Sequence, residues 1–139
     1  VLTSDGWLKT GDMARKDEEG FFYIVDRKKD MILSSAGLNV YPREIEEVLF
    51  LHSAVEDAAA IGVPTESGSE SIKAFVVVKK ESIVTSQQIM QHCKEHLAPY
   101  KVPRKIEFRD TLPKSIIGKT LRRKLREEEM EKTKKTNPA

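Results

Sequence analysis

AVEDAAAIGVP (residues 54–64) and SIKAFVVVKK (residues 71–80) are two apolar stretches at the centre of the chain. Both are rich in alanine and β-branched residues, and the polar TESGSE (65–70) separates them, so both read as strands. Upstream, Pro42 opens PREIEEVLFLH. Proline suits the first helical position, and Ile45, Val48 and Leu49 recur at helical spacing. Downstream, Thr85 and Gln88 have the spacing of a capping box for a helix to about Leu97, with Ile89, Cys93 and Leu97 on one stripe. APYKVP (98–103) breaks that helix, KIEFRD (105–110) alternates as a short strand, and a last helix is expected from Thr120 to about Lys132.

Toward the N-terminus, GWLKTGD (6–12) is turn-rich loop, DEEG (17–20) a turn, and FFYIVD (21–26) an aromatic and β-branched strand. RKKD (27–30) interrupts it and MILSS (31–35) resumes an extended pattern, suggesting a pair of short strands bent at a charged step. The order is strands, helix, two strands, helix, strand, helix. Strand pairs mixed with helices imply an α+β fold: a small mixed β-sheet flanked by helices, preceded by a short two-stranded hairpin.

The chain has 139 residues, 39% hydrophobic and 33% charged, which suits one soluble domain with a real core. A net charge of +2 excludes a polycation built to coat nucleic acid. The charge is uneven, however: from residue 114 to 139, nine Lys or Arg stand against four Glu. Such a tail either attracts phosphate or forms a solvated helix with a frayed end. The single cysteine, Cys93, excludes an internal disulfide framework and fits a reducing compartment, so a cytoplasmic location is expected. No apolar run approaches a membrane span. The opening VLTSDGWLKTGD has no initiator methionine and no signal-peptide layout, and it enters in mid-pattern, as expected of a piece of a longer protein.

His92 and His96 stand four apart, the spacing of helical zinc ligands, but no glutamate follows His92 and no third ligand is evident, so no metal site is expected. Cys93 shares the apolar stripe and reads as a packing thiol. The phosphate-cradling patterns GxxxxGK[ST] and GxGxxG are absent. Three stretches read either as ordinary surface or as parts of a site. Asp12 of TGD is an Asx-type turn residue, or a carboxylate that accepts hydrogen bonds from vicinal hydroxyls such as those of a ribose. Arg27, Lys28 and Lys29 are surface charge, or a pivot between strands. Lys119, in LPKSIIGKTLRRKL (112–125), follows a glycine and precedes a helix. Its ammonium is either solvated or able to meet a phosphate or carboxylate and stabilise charge that develops in a transition state.

Taken in order, GWLKTGD, YIVDRKKDMI, NVYPREIEEVL and LPKSIIGKTLRRKL resemble the adenylate-forming, AMP-binding superfamily of acyl-CoA synthetases, luciferases and peptide-synthetase adenylation domains. The resemblance runs from about Gly6 to Lys124, and YIVDRKKDMI with NVYPREIE is most similar to the fatty-acyl-CoA ligases. It implies a four-part division. Residues 1–26 would end a large N-terminal AMP-binding domain, 27–30 would be the hinge, 31–130 the small mobile C-terminal domain, and 131–139 a disordered tail. The phosphate loop and acyl pocket of the family lie upstream of this piece.

By the same resemblance, Asp12 matches the aspartate that holds the ribose hydroxyls of ATP and AMP, Arg27 an arginine that contacts the nucleotide, and Lys29 the hinge position. Lys119 matches the catalytic lysine that bridges the acyl carboxylate and the α-phosphate. Backbone beside Ala36, Gly37 and Leu38 would meet the pantetheine of CoA, with Tyr100 and Lys101 near its nucleotide end. The loop LSSAGLNVYP (33–42) is one residue longer than the usual LVSGFNVYP. The implied activity is that of an ATP-dependent fatty-acyl-CoA synthetase using fatty acid, ATP, CoA and Mg²⁺, with this piece inactive alone. Its implied partner is its own N-terminal domain, with peripheral membrane contact left to the full enzyme and no nucleic acid. Two other readings stand beside it. One is a ligase of another carboxylate, such as an aryl acid, or a carrier-protein adenylation domain. The other is a basic module for nucleic acid or anionic membrane.

Overall fold

Two small antiparallel sheets lead into a three-stranded one. β1 (Asp12–Lys16) pairs with β2 (Phe22–Arg27) across a bulge at Met13 and Ala14, and β3 (Ile32–Leu33) pairs with β4 (Asn39–Val40). After α1 (Pro42–Phe50), β5 (Val55–Pro64) and β6 (Glu70–Val78) run antiparallel. α2 (Ser86–His96) then crosses over so that β7 (Lys105–Phe108) lies parallel on β6, and α3 (Arg122–Thr136) is the last element. The computed structural model describes residues 2–136.

Both faces of the three-stranded sheet are buried, which is why its strands read as nearly unbroken apolar runs. Ala58, Ala60, Ile72, Ala74 and Val76 pack with Ile45 and Leu49 of α1 and with Ile89 and Cys93 of α2. The alternate residues Ala59, Ile61, Phe75 and Val77 pack on the opposite face with Leu112 and Leu125. The result is three layers, with α1 and α2 on one side and α3 on the other. α2 starts at the expected capping box: the Gln88 amide donates to Thr85 Oγ1 at 3.2 Å, and Gln88 Oε1 accepts from the Thr85 amide at 2.9 Å.

One turn pattern recurs five times, a Ser, Thr or Asp followed three residues later by glycine: Thr3–Trp7, Asp17–Phe21, Ser34–Leu38, Thr65–Ser69 and Ser115–Lys119. In each, the first amide donates to the fifth carbonyl, the glycine amide donates back to the first carbonyl, and the glycine has positive φ. Glycine is needed because a Cβ is strained in that backbone region.

Three boundaries differ from the sequence reading. β1 was not legible, because DMARK is polar and mostly exposed; it exists through its pairing with β2. The hairpin is therefore β1–β2, and the runs on either side of RKKD do not pair with each other. A 3-10 turn at Lys28–Asp30 redirects the chain, and β3 pairs with β4 instead. α3 begins at Arg122 because Thr120 bridges to Lys114 and the Leu121 amide donates to Pro113 O. It continues to Thr136, so 131–136 are helical instead of a disordered tail, while 137–139 lie outside the described residues. No helix among the described residues is long and apolar enough to cross a membrane.

α3 has little apolar surface and fully buries Leu125 alone among its side chains. Charge does the rest. Lys73 of β6 lies 2.6 Å from Glu129 and 3.1 Å from Glu107, Lys132 lies 3.1 Å from both, and Arg109 pairs with Glu107 and Glu128. Burial pushes the Glu107 carboxyl up, but hydrogen bonds from Arg109, Lys132 and Lys73 reverse this and hold it at about 2 against an ordinary 4.5. A depressed carboxylate contributes stability that is fully present above its unfolded value and lost as pH falls through its folded one. Thermal unfolding of Glu107→Gln should therefore show a deficit at pH 7 that closes as pH drops from 4.5 toward about 2.

Candidate functional site

Asp12 and Arg27, both expected to face a nucleotide, occupy directly opposed positions of the β1–β2 ladder. Arg27 Nη1 donates to Asp12 Oδ1 at 3.0 Å and to Thr10 O at 3.5 Å. The Lys28 amide donates to Gly11 O at 2.9 Å, closing the TGD loop onto the start of the Lys28–Asp30 turn. Lys29 is exposed in the middle of that turn, whereas Asp26 and Asp30 on either side of it are buried.

Those two aspartates converge on Arg122. Its Nη1 lies 3.0 Å from Asp30 Oδ2 and 3.4 Å from Asp26 Oδ1, its Nε donates to Glu46 Oε2 at 3.0 Å, and its Nη2 donates to Glu46 Oε1. Arg126, one helical turn on, donates to Asp30 Oδ1 at 3.0 Å. Backbone amides complete the shell: Arg43 N donates to Asp26 Oδ2 and Ala60 N to Glu46 Oε2, each at 3.0 Å. Burial works against the Arg122 charge, but the Glu46 hydrogen bond and the charges of Glu46, Asp26 and Asp30 raise its pKa above the ordinary arginine value. Sequence reasoning missed Arg122 because RRKL reads as helix surface. Arg123 and Lys124 are exposed, and it is only the fold that turns Arg122 inward.

Lys119 ends one of the recurrent turns. Ser115 N donates to Lys119 O at 2.8 Å, and Lys119 N donates to Ser115 Oγ at 3.2 Å. Lys114 secures the base of this turn, with Nζ 2.6 Å from Asp57 Oδ2 and donating to Thr120 Oγ1 at 2.7 Å. Lys119 itself, with Ile116 and Ile117 beside it, is exposed and has no ion pair among the described residues.

The Gly37 loop is built in the same way. The Ser34 amide and hydroxyl both donate to Leu38 O, at 3.0 and 2.8 Å, with Gly37 at φ +75°, so the longer loop forms a closed turn presenting Ala36, Gly37 and Leu38 to solvent. Glu70 anchors it through Oε2, which accepts from Leu33 N at 2.9 Å. Gly62 makes room for that carboxylate; a Cβ there would stand 2.7 Å from Glu70 Oε2.

These anchors lie far apart. Asp57 is near the start of β5, and Glu70 faces Pro64 at its end. Asp57 and Pro64 are seven strand steps apart, about 23 Å. The sheet thus holds the Lys119 turn at one end and the Gly37 turn at the other.

Tyr100 and Lys101 share the 3-10 turn Pro99–Lys101. Lys101 is engaged already: its Nζ lies 3.1 Å from Glu44 Oε2 and 5.5 Å from the Tyr100 ring centroid. Burial lowers its pKa, but the Glu44 hydrogen bond and charge outweigh that and raise it. His92 and His96 each bond a backbone carbonyl, Val48 O at 2.6 Å and His92 O at 2.9 Å. The described residues hold no group of three or more His, Cys, Asp or Glu placed to bind a metal ion. Burial pushes the Cys93 thiol up to about 11, keeping it protonated and unreactive at neutral pH.

The family model of the AMP-binding enzyme C-terminal domain matches residues 44–119. The chain belongs to that family. It is similar to a long-chain-fatty-acid–CoA ligase of Yersinia pestis, 58% identical over 129 residues that make up 93% of this chain and 23% of that protein. Among solved structures it is similar to a Mycobacterium tuberculosis fatty acyl CoA synthetase, 43% identical with a TM-score of 0.73 over 91% of this chain and 25% of that one. It is also similar to ATP-bound MatB from Rhodopseudomonas palustris, 35% identical with a TM-score of 0.83 over the same shares. The domain spans about a quarter of the length of these relatives.

Removing Arg122 from this AMP-binding enzyme C-terminal domain would leave Asp26 and Glu46 gathered without their cation and Asp30 with Arg126 alone. Arg122→Ala should destabilise the chain by about 3 kcal/mol, read from urea unfolding, whereas Arg123→Ala on the exposed face should change it by less than about 0.5 kcal/mol.

Proposed function

We propose that this chain is the mobile C-terminal domain of an ATP-dependent fatty-acyl-CoA synthetase. The parent enzyme would join a fatty acid to CoA through an acyl-adenylate, releasing pyrophosphate and then AMP. The observation that carries the reading is the placement of the two turns: an unpaired, exposed lysine at one end of a rigid sheet and a glycine turn at the other. The fatty-acid class rests on the likeness to long-chain-fatty-acid–CoA ligases.

The first half-reaction brings a carboxylate to the α-phosphate of ATP, so two anions meet. The Lys119 ammonium between them would offset their repulsion and align them for attack. Asp12 would accept the ribose hydroxyls, and Arg27, already oriented by its ion pair with Asp12, would contact the nucleotide. Mg²⁺ would enter with ATP and neutralise charge on the departing pyrophosphate, held by the nucleotide and by residues outside this chain.

The second half-reaction brings the CoA thiol to the acyl-adenylate, where a lysine against the phosphate would obstruct it. A swing about Lys29 would withdraw the Lys119 turn and bring the Gly37 turn forward. Exposed backbone at Ala36, Gly37 and Leu38 would then line the pantetheine path, with the Tyr100 ring near the nucleotide end of CoA. Lys101 would have to leave Glu44 to reach a CoA phosphate, which makes it a weaker contact than sequence alone suggests. The partner in both steps is the enzyme's own N-terminal domain.

A basic nucleic-acid module fits less well, since Arg122, Arg126 and Lys132 of α3 spend their charge on internal carboxylates. In the parent enzyme, Lys119→Ala should slow acyl-adenylate formation by about 100-fold or more while thioester formation from supplied acyl-adenylate stays within a few-fold of wild type. Equal loss of both half-reactions would overturn the assigned role.

A further inference from the structure

Asp26 lies before the hinge, yet it holds the domain that lies beyond it. It belongs to β2, whose neighbours Phe22, Tyr23 and Ile24 are all at least 50% exposed and so are not covered by the domain. The Asp26 carboxylate, in contrast, is buried at 6% exposure. Besides the adjacent Arg27 amide at 2.8 Å, its partners are the Arg43 amide of α1 at 3.0 Å and Arg122 Nη1 of α3 at 3.4 Å.

α1 needs this contact. Its N-cap residue, Tyr41, has a side chain that cannot cap, and Pro42 at the first helical position leaves Arg43 as an early amide in want of an acceptor. Asp26 supplies the acceptor from across the hinge, 17 residues away in sequence. The carboxylate also sits where the positive end of the helix favours negative charge.

We propose that Asp26 is a positioning residue that latches the hinge. Its carboxylate holds one orientation of the C-terminal domain by capping α1 and pairing with Arg122, and it lets go when the domain swings. The proposal rests on the reading that the domain pivots about Lys29. Rotation there carries Arg43 and Arg122 away from Asp26, while the Asp30–Arg122, Asp30–Arg126 and Glu46–Arg122 pairs travel together, since all their members follow the pivot. Release therefore leaves Arg122 with two carboxylates and does not orphan a buried cation. The contact that breaks is one helix cap and the longest of the Arg122 pairs, a small enough interaction to be made and broken in each turnover.

The test uses the full-length enzyme and measures its half-reactions separately: acyl-adenylate formation without CoA, by pyrophosphate exchange, and thioester formation from supplied acyl-adenylate and CoA. Asp26→Ala should change the ratio of the two rates by about 5- to 10-fold, one falling while the other holds or rises, because a population shifts and no reacting group is lost. Asp26→Asn, whose amide oxygen still accepts from Arg43 N, should lie between Asp26→Ala and wild type, and it decides the matter if the alanine variant does not fold. Adding Tyr41→Asp to Asp26→Ala gives α1 a cap on its own side of the hinge, so thermal stability should recover while the ratio stays shifted. An unchanged ratio, an equal fall of both half-reactions, or recovery of the ratio along with stability would each overturn the latch. Wild-type enzyme that forms no acyl-adenylate, or Lys119→Ala that leaves adenylation intact, would instead overturn the functional reading on which the latch rests.

Discussion

One guanidinium, that of Arg122, joins four parts of the chain that are remote in sequence. Asp26 precedes the Lys28–Asp30 turn and Asp30 ends it, Glu46 sits on α1, and Glu46 in turn receives the Ala60 amide of β5. Taking these ions out of water is unfavourable, and the attraction repays it only where geometry is good and the remaining lone pairs are satisfied. Both conditions are met: Arg126 adds a second cation, and backbone amides serve Asp26 and Glu46. No buried side-chain nitrogen or oxygen among the described residues lacks a hydrogen-bond partner. The cluster ties the Lys28–Asp30 turn, α1, α3 and the sheet to one another.

α3 illustrates what such a cluster permits. With Leu125 its one fully buried side chain, the helix has too little apolar surface to choose its own docking angle. Its charges choose for it. Arg122 and Arg126 meet carboxylates near the Lys28–Asp30 turn, and Glu128, Glu129 and Lys132 meet Lys73 of β6, Glu107 of β7 and Arg109 just past it. Much of the positive excess of the C-terminal segment is thus consumed inside the domain.

The docking of α3 also positions Lys119, which lies just before it. Arg122, three residues on, ties that end of the helix to the Lys28–Asp30 turn, and Lys114 ties the Lys119 turn to Asp57. The Gly37 turn is fastened separately through Glu70, at the far end of β5. The strand therefore keeps the Lys119 and Gly37 turns apart, one near each of its ends.

Local pattern was enough for most elements. Runs of alanine and β-branched residues announced β5 and β6, Pro42 announced α1, and Thr85 with Gln88 announced α2, because these signals act within a few residues and need no distant partner. Lys119, Asp12 and the Gly37 loop were legible as motifs, and their turns rest on a short-range rule, a polar first residue and a glycine of positive φ. β1 escaped notice because its stability comes from β2 and its own polar residues carry no strand signal. Arg122 was invisible for a stronger reason: its carboxylates lie 76 to 96 residues away, and nothing in RRKL distinguishes an inward arginine from a solvated one. The same holds for Asp26 as the cap of α1 and for Lys101 in the grip of Glu44. Sequence alone determined most of the elements and the short turns, since both depend on neighbours along the chain. Only the tertiary structure decided which charges are spent in holding the domain together and which, like Lys119, stand exposed with no ion pair among the described residues, because burial and pairing are properties of what the fold brings near.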